Sequence, residues 1–285
     1  MTRDFLAPAK INLCLHVLRK RQDGYHDLAM LMQRITLFDQ ITIRLVSEPG
    51  VRVHCEGLEL PPGKDNIAAT AARRLLELSG PSGGVEIDIR KKIPVAAGLG
   101  GGSSDAATVL MGLNQMLGLG LSREQLMGEG VQLGADVPFF IFDQTAWATG
   151  IGEVLTGIDD LPPVWYVLVN PGLAVSTAWV YGNLRLTSPR DDLKIPRFCR
   201  TVEDLVSRLH NDLEQVTAAH FPLIREIKKG LLALGAKGAL MSGSGPTVFG
   251  VFADKSSAEA AGTKLRNESG WWVEVVEPFV DCVVV

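Results

Sequence analysis

Apolar and polar positions alternate over residues 84–93, with Val85, Ile87 and Ile89 on one side, as a half-buried strand requires. Residues 10–18, 35–46 and 51–55 are further apolar-rich runs of strand type. The polar stretch 19–27 carries the turn signal Asp23-Gly24 and reads as a loop. The period changes to that of a helix over 66–78, ended by Gly80, and again over 105–116, where apolar residues recur at helical spacing. A further helix opens at Ser122, with Gln125 in the capping-box position. Past an acidic, proline-bearing stretch at 159–163, residues 165–169, 247–252 and 271–276 read as strands, and 222–234 and 256–266 as helices. Strands interleaved with helices in both halves predict an α+β chain of two units, residues 1–158 and 159–285, without internal repeats.

Between the strand at 84–93 and the helix at 105–116 lies PVAAGLGGGSS, residues 94–104. Its glycines allow close backbone approach and positive φ, and a glycine loop that opens a helix presents unpaired N–H groups at a positive dipole end. That combination favours an anion, and phosphate is the natural one. A Gly/Ser run is often only a flexible linker, but linkers are usually flanked by polar residues, whereas this one lies between Ile93-Pro94-Val95 and an apolar helix face. Neither the Walker pattern GxxxxGK[ST] nor the dinucleotide pattern GxGxxG is present, so the cradle belongs to another class. A second glycine loop, SGSGPT at 242–247, leads into a strand. It reads either as a tight turn or as a second wall of the same ligand site, and it lacks the GxSxG pattern of a hydrolase elbow because position 242 is serine.

Composition narrows the class. A hydrophobic fraction of 46% with 21% charged residues is that of a folded globular chain. A formal net charge of −4 offers no broad attraction to nucleic acid or anionic membrane, and the clusters at 19–21 and 90–92 read as solvated turns. Cys14, Cys55, Cys199 and Cys282 lack CxxC spacing, which argues against a zinc knuckle or redox motif. The absence of a signal-like segment and of a long apolar span leads to the expectation of a cytoplasmic protein with reduced thiols, not bound to membranes.

Three segments, PAKINL at 8–13, the loop at 94–104 and SGSGPT at 242–247, occur in the order of the three motifs of the GHMP small-molecule kinases, which the chain resembles over nearly its whole length. QDGYHDL at 22–28 and GADVP at 134–138 resemble the branch of that family that phosphorylates a cytidyl diphosphate compound in non-mevalonate isoprenoid synthesis. The resemblance implies a two-domain GHMP kinase fold with the active site in the inter-domain cleft, ATP and Mg2+ as cofactors, and a small-molecule partner. It places the ATP phosphates on Pro94, Val95, Ala96, Ala97, Gly98, Leu99, Gly100, Gly101, Gly102, Ser103 and Ser104. Asn66 is a candidate on the adenine side, although a helix-start residue explains it equally well. Lys10 and Asp136 are the implied catalytic pair, Asp136 accepting the substrate hydroxyl proton and Lys10 holding Asp136 ionised. By composition alone, Lys10 would be a surface cation and Asp136 a turn residue. Asn12, Tyr25, His26, Thr177 and Tyr181 are the implied substrate contacts, with Tyr181 at a position where relatives often have phenylalanine. The metal ligands stay open: Ser103 or Ser104 could offer a hydroxyl to Mg2+.

Overall fold

The apolar runs near the N-terminus become two long antiparallel strands, β1 (Thr2–Lys20) and β2 (His26–Val46), in a computed structural model that describes residues 1–56, 66–80, 83–159, 161–186 and 200–279. Cys199 and Cys282 lie outside the described residues. The predicted loop at 19–27 shrinks to five residues, because β2 begins at His26 rather than near residue 35. Residues 28–35 of β2 are buried without alternation, so the period-2 signal that marks a half-exposed strand is missing there. The other elements of the first half are β3 (Gly50–Glu56), α1 (Ile67–Ser79), β4 (Gly84–Arg90), α2 (Gly101–Leu117), α3 (Arg123–Val131), α4 (Val137–Phe142), β5 (Ala146–Gly150) and β6 (Val154–Gly157). The second half contributes β7 (Trp165–Asn170), α5 (Thr177–Asn183), α6 (Val202–Ser207), β8 (His210–Asn211), α7 (Glu214–His220), α8 (Leu223–Ala233), β9 (Gly238–Met241), β10 (Val248–Phe252), α9 (Lys255–Ser269) and β11 (Trp272–Val276).

One sheet has the order β3-β4-β2-β1-β8, with β5 paired to β2 and β6 to β5. The other, β11-β7-β10-β9, is drawn from the second half alone. The short β8 joins the first sheet parallel to β1, with Cys14 opposite His210 and Leu15 opposite Asn211. Helices α1 and α2 cover the first sheet, with Ala68, Ala71, Ala72 and Leu75 of α1 and Val109, Leu110 and Leu113 of α2 in one core with Ile41, Ile43, Val85 and Ile87. The small residues on α1 let the helix axes approach closely.

Register irregularities in β1 decide which way its side chains point. Phe5 and Ala7 belong to the core under the helices. A shift between Pro8 and Ala9 then reverses the alternation, so Ala9, Ile11 and Leu13 join Tyr166, Leu168, Phe249 and Val251 in the core between the sheets. A second shift between Asn12 and Cys14 returns Leu15 and Val17 to the first core. Between the two shifts Lys10 and Asn12 point away from the inter-sheet core. A buried bond of 2.5 Å from the Tyr166 hydroxyl to Gln33 Oε1 ties the two sheets together.

Helix α2 begins at Gly101, four residues before the position that periodicity indicated, because Gly-Gly-Ser-Ser has too little helix propensity to announce its own first turn. The capping box at Ser122 and Gln125 forms as the sequence specifies. The six-residue α4, VPFFIF, is too short to carry a periodic signal and forms because Val137, Pro138, Phe139, Phe140 and Ile141 are all buried.

Candidate active site

A cavity of about 950 Å3 takes its walls from both halves of the sequence: β1, the start of β2, the first glycine loop, the Ala135-Asp136 turn, α5 and the second glycine loop. Its geometry starts with glycine. Gly98 adopts φ +76° with its α-carbon so close to the second loop that a β-carbon would lie 2.1 Å from the Ser242 carbonyl oxygen. Gly100, at φ +73°, lets the loop rest on the Lys10 side chain and the Phe140 ring, where a β-carbon would meet atoms at 3.0 and 2.9 Å. Ala96 holds φ +52°, an uncommon conformation for a residue with a β-carbon.

The two glycine loops touch each other. Ser242 Oγ donates to the Gly98 carbonyl at 2.9 Å and accepts from the Asn12 amide at 3.3 Å. Asn211 Nδ2 donates to the carbonyls of Met241 and Gly243, both at 2.7 Å, bracing the second loop from behind. The Ser244 hydroxyl bonds that of Thr177 at 2.8 Å, linking this loop to α5. Helix α2 then leaves the first loop with no acidic residue and no side-chain cap in its first turn, and its helical bonding begins with the Ser104 amide to the Gly100 carbonyl. The amides that precede it, with the positive end of the helix dipole, stand at the cavity wall formed by Gly101, Gly102 and Ser103.

At the end of the same cavity Lys10 Nζ lies 3.3 Å from Asp136 Oδ2 and donates to Asn12 Oδ1 at 2.7 Å, with its side chain only 5% exposed. Asp136 occupies the N-cap position of α4 without capping it, so its carboxylate is left for Lys10 and the cavity. Asn12 lines the cavity as well, its Oδ1 accepting from Lys10 and its Nδ2 donating to Met30 Sδ at 3.5 Å. Thr177 likewise lines the cavity with its hydroxyl engaged by Ser244.

Across the cavity His26 and Tyr181 stack on each other, with ring centroids 5.0 Å apart and planes 30° apart, while Tyr25 stands 58% exposed at the rim. Burial, and to a lesser degree the charge of Lys20, pushes the His26 pKa down, which keeps the imidazole neutral near pH 7. Burial, with the Asp136 carboxylate adding to it, raises the Tyr181 phenol above its usual range, so it stays protonated. Asn66 lines the cavity and also caps α1, its Oδ1 accepting from the Ala68 amide at 2.9 Å. Of the residues singled out by sequence, Leu99 and Ser104 are buried behind the wall. Leu99 offers its carbonyl to the Lys10 amide at 2.9 Å, and Ser103 is the serine at the surface of the cavity.

Lys91 is a correction. The basic cluster at 90–92 reads as a solvated turn, yet Lys91 is nearly buried between Asp39 Oδ2 at 2.5 Å and Asp105 Oδ2 at 2.8 Å, and it lines the cavity. Asp39 Oδ1 also accepts from the Lys92 and Ile93 amides, fixing the chain that enters the loop. Both carboxylates come from distant segments, so no local pattern signals the pairing. Burial raises the Asp105 pKa to about 7: Lys91 pulls it down, but Asp39 opposes that and desolvation dominates. Its Oδ1 is buried without a hydrogen-bond partner, which adds to the cost of carrying a charge there.

Residues 66–144 match the family described as GHMP kinases N terminal domain, and residues 198–270 match GHMP kinases C terminal. A protein of Syntrophotalea carbinolica named 4-diphosphocytidyl-2-C-methyl-D-erythritol kinase is 66% identical over 97% of this chain and 99% of its own length. One of Geobacter metallireducens with the same name is 60% identical over 96% of this chain and 98% of its own. A crystal structure described as 4-(cytidine 5'-diphospho)-2C-methyl-D-erythritol kinase superposes with a TM-score of 0.80 at 38% identity, covering 98% of this chain and all of that one.

Proposed function

We propose, from the premise that the chain belongs to the GHMP kinases and within them to the family of these erythritol kinase relatives, that it phosphorylates the 2-hydroxyl of 4-diphosphocytidyl-2-C-methyl-D-erythritol. The protein is an ATP-dependent small-molecule kinase. The substrate is carried over from the name of the relatives, and the step in non-mevalonate isoprenoid synthesis and a cytoplasmic location belong to the same proposal. The observation that carries this reading is that one cavity holds the glycine loop, the Lys10–Asp136 pair and the His26–Tyr181 rings.

On this reading the ATP phosphates lie against the loop from Pro94 to Ser103 and the N-terminus of α2. The substrate hydroxyl oxygen attacks the γ-phosphorus, the bond to the bridging β,γ-oxygen breaks, and ADP leaves with that electron pair. Asp136 Oδ2 accepts the hydroxyl proton, and Lys10, 3.3 Å away, holds the carboxylate in place. Phosphoryl transition states are loose, so positioning and charge stabilisation outweigh proton removal. The cytosine is held among Tyr25, His26 and Tyr181, with the neutral His26 reading its edge. Leu99 and Ser104 act from behind the wall, and Asn12 acts through Lys10.

The residues present fit a magnesium ion. The cavity offers hard oxygen donors in the Ser103 hydroxyl and the Asp136 carboxylate, and magnesium takes the rest of its shell from phosphates and water. When bound, it neutralises phosphate charge. The same reading divides the chain near residue 158, which the separate sheet of β7, β9, β10 and β11 supports.

The test is coupled ADP release with Mg-ATP and a panel of the cytidyl substrate, mevalonate and homoserine, run on the wild type and on Asp136→Ala. Turnover confined to the cytidyl compound and lost in the variant is the expected result. Turnover with another alcohol overturns the substrate, and full turnover by the variant overturns the role of Asp136.

A further inference from the structure

Outside the cavity, one cluster of metal-ligating side chains has no part in the reaction just described. His16 of β1, His210 of β8 and Asp212 just beyond β8 each place one ligand atom within 4.8 Å of the others. Three backbone features hold the cluster together. The β1–β8 pairing sets Cys14 opposite His210, the Asp212 amide donates to the Leu15 carbonyl at 3.0 Å, and Asp212 Oδ2 accepts from the Val17 amide at 2.8 Å. The carboxylate is thereby oriented from both sides, leaving Oδ1 at 2.7 Å from His210 Nε2. The two imidazoles stack with centroids 4.4 Å apart and planes 14° apart.

We infer that His16, His210 and Asp212 form a binding site for a divalent ion of the zinc class, which clips β8 to β1. Two imidazoles and a carboxylate suit zinc, cobalt or nickel, whereas magnesium prefers all-oxygen shells and would not compete. A tetrahedral ion with ligands at about 2.0–2.2 Å needs its donors about 3.3 Å apart. His210 Nε2 and Asp212 Oδ1 are already closer than that, and the ion takes the place of the proton between them, which passes to Nδ1 of the neutral imidazole. Nitrogen lone pairs lie in the ring planes, so the near-parallel stack must open into a wedge. That motion is a rotation about χ2, which is broad for histidine and needs no backbone movement. The His210 side chain is 43% exposed, which leaves the fourth position to water. Asp212 Oδ2 stays on Val17, the outer contact that orients such a ligand. Ion binding would fasten a strand of the second half to the first sheet beside Leu15 and Leu213, which line the cavity.

The experiment uses full-length protein without a polyhistidine tag, stripped by chelator and kept in Mg2+ buffer. Zn2+ is titrated calorimetrically and Co2+ by its visible tetrahedral absorption, on the wild type, His16→Ala and His210→Ala. Expected are one ion per wild-type chain with a dissociation constant in the micromolar range, and weakening of about tenfold or more in either variant. His210→Ala should keep wild-type kinase activity in zinc-free buffer and an unfolding midpoint within about 2 °C, so that lost binding is not lost folding. Absence of binding by the wild type, or weakening below about tenfold in a variant that folds normally, overturns the site.

Discussion

The contact between the glycine loops can be tested with two alanines that have opposite consequences. At Gly98 a β-carbon would lie 2.1 Å from the Ser242 carbonyl oxygen, 3.1 Å from its carbon and 3.2 Å from the Gly245 nitrogen, all backbone atoms, at φ +76°. Carbon and carbonyl oxygen approach comfortably only to about 3.3 Å, so the loops must separate by about 1 Å. The left-handed backbone costs a residue with a β-carbon roughly 1–2 kcal/mol, and overpacking adds roughly 1–3 kcal/mol. Gly98→Ala should therefore lose about 2–5 kcal/mol of stability, lower the unfolding midpoint by several degrees, and cut kcat/KM by about 100-fold through displacement of the loop. At Gly102, inside α2, a β-carbon would meet nothing within 4 Å, and alanine there favours the helix by about 0.5–1 kcal/mol. Its methyl group enters the cavity where the phosphates are proposed to lie. Gly102→Ala should keep or raise the midpoint and increase the KM for ATP by about tenfold, the equivalent of about 1.4 kcal/mol. Calorimetric or circular-dichroism melting and steady-state ADP release measure both. A Gly98→Ala protein with wild-type midpoint and kcat/KM refutes the clash reasoning, and an unchanged ATP KM in Gly102→Ala refutes phosphate contact at the first turn of α2.

Lys10→Met should lower kcat by about 100-fold or more with only a modest change in the melting midpoint, and unchanged kcat removes Lys10 from the reaction. His26→Ala removes the group proposed to read the cytosine edge, a hydrogen bond worth about 0.5–1.5 kcal/mol, so it should raise the KM of the cytidyl substrate by roughly 2- to 12-fold and leave ATP unaffected; equal loss of both ligands detaches His26 from the cytidine. Asp105 titrates near 7 in the fold, against 3.8 when free, so the folded state binds a proton that the unfolded chain releases. The contribution of this group to stability is therefore full below about pH 4, falls as pH rises toward 7, and is constant above. Asp105→Asn should flatten that part of the stability–pH curve in urea titrations between pH 5 and 8, and an unaltered curve would show that Asp105 is ionised throughout.

Local chemistry made much of this protein legible in its sequence. The helix ends at Asn66, Gly80 and Ser122, the alternating strand and the glycine loops are short-range patterns; the helix ends form where the residues indicate, and the strand expected over 84–93 forms over Gly84–Arg90. What the sequence left open depended on partners far away in the chain. The first part of β2 was hidden because burial on both faces erases alternation, and α4 because six buried residues have no period. Which of Ser103 and Ser104 lines the cavity is decided by the direction in which α2 enters the core. Lys91 changes from surface cation to buried clamp because Asp39, 52 residues earlier, and Asp105, 14 residues later, converge on it. Composition and spacing dictate torsion angles and hydrogen bonds between near neighbours, whereas burial and charge pairing are set by whatever the fold brings within a few ångströms. That is why the elements could be read from the chain, while the environment of each side chain in the cavity was decided only when the two sheets and their loops packed together.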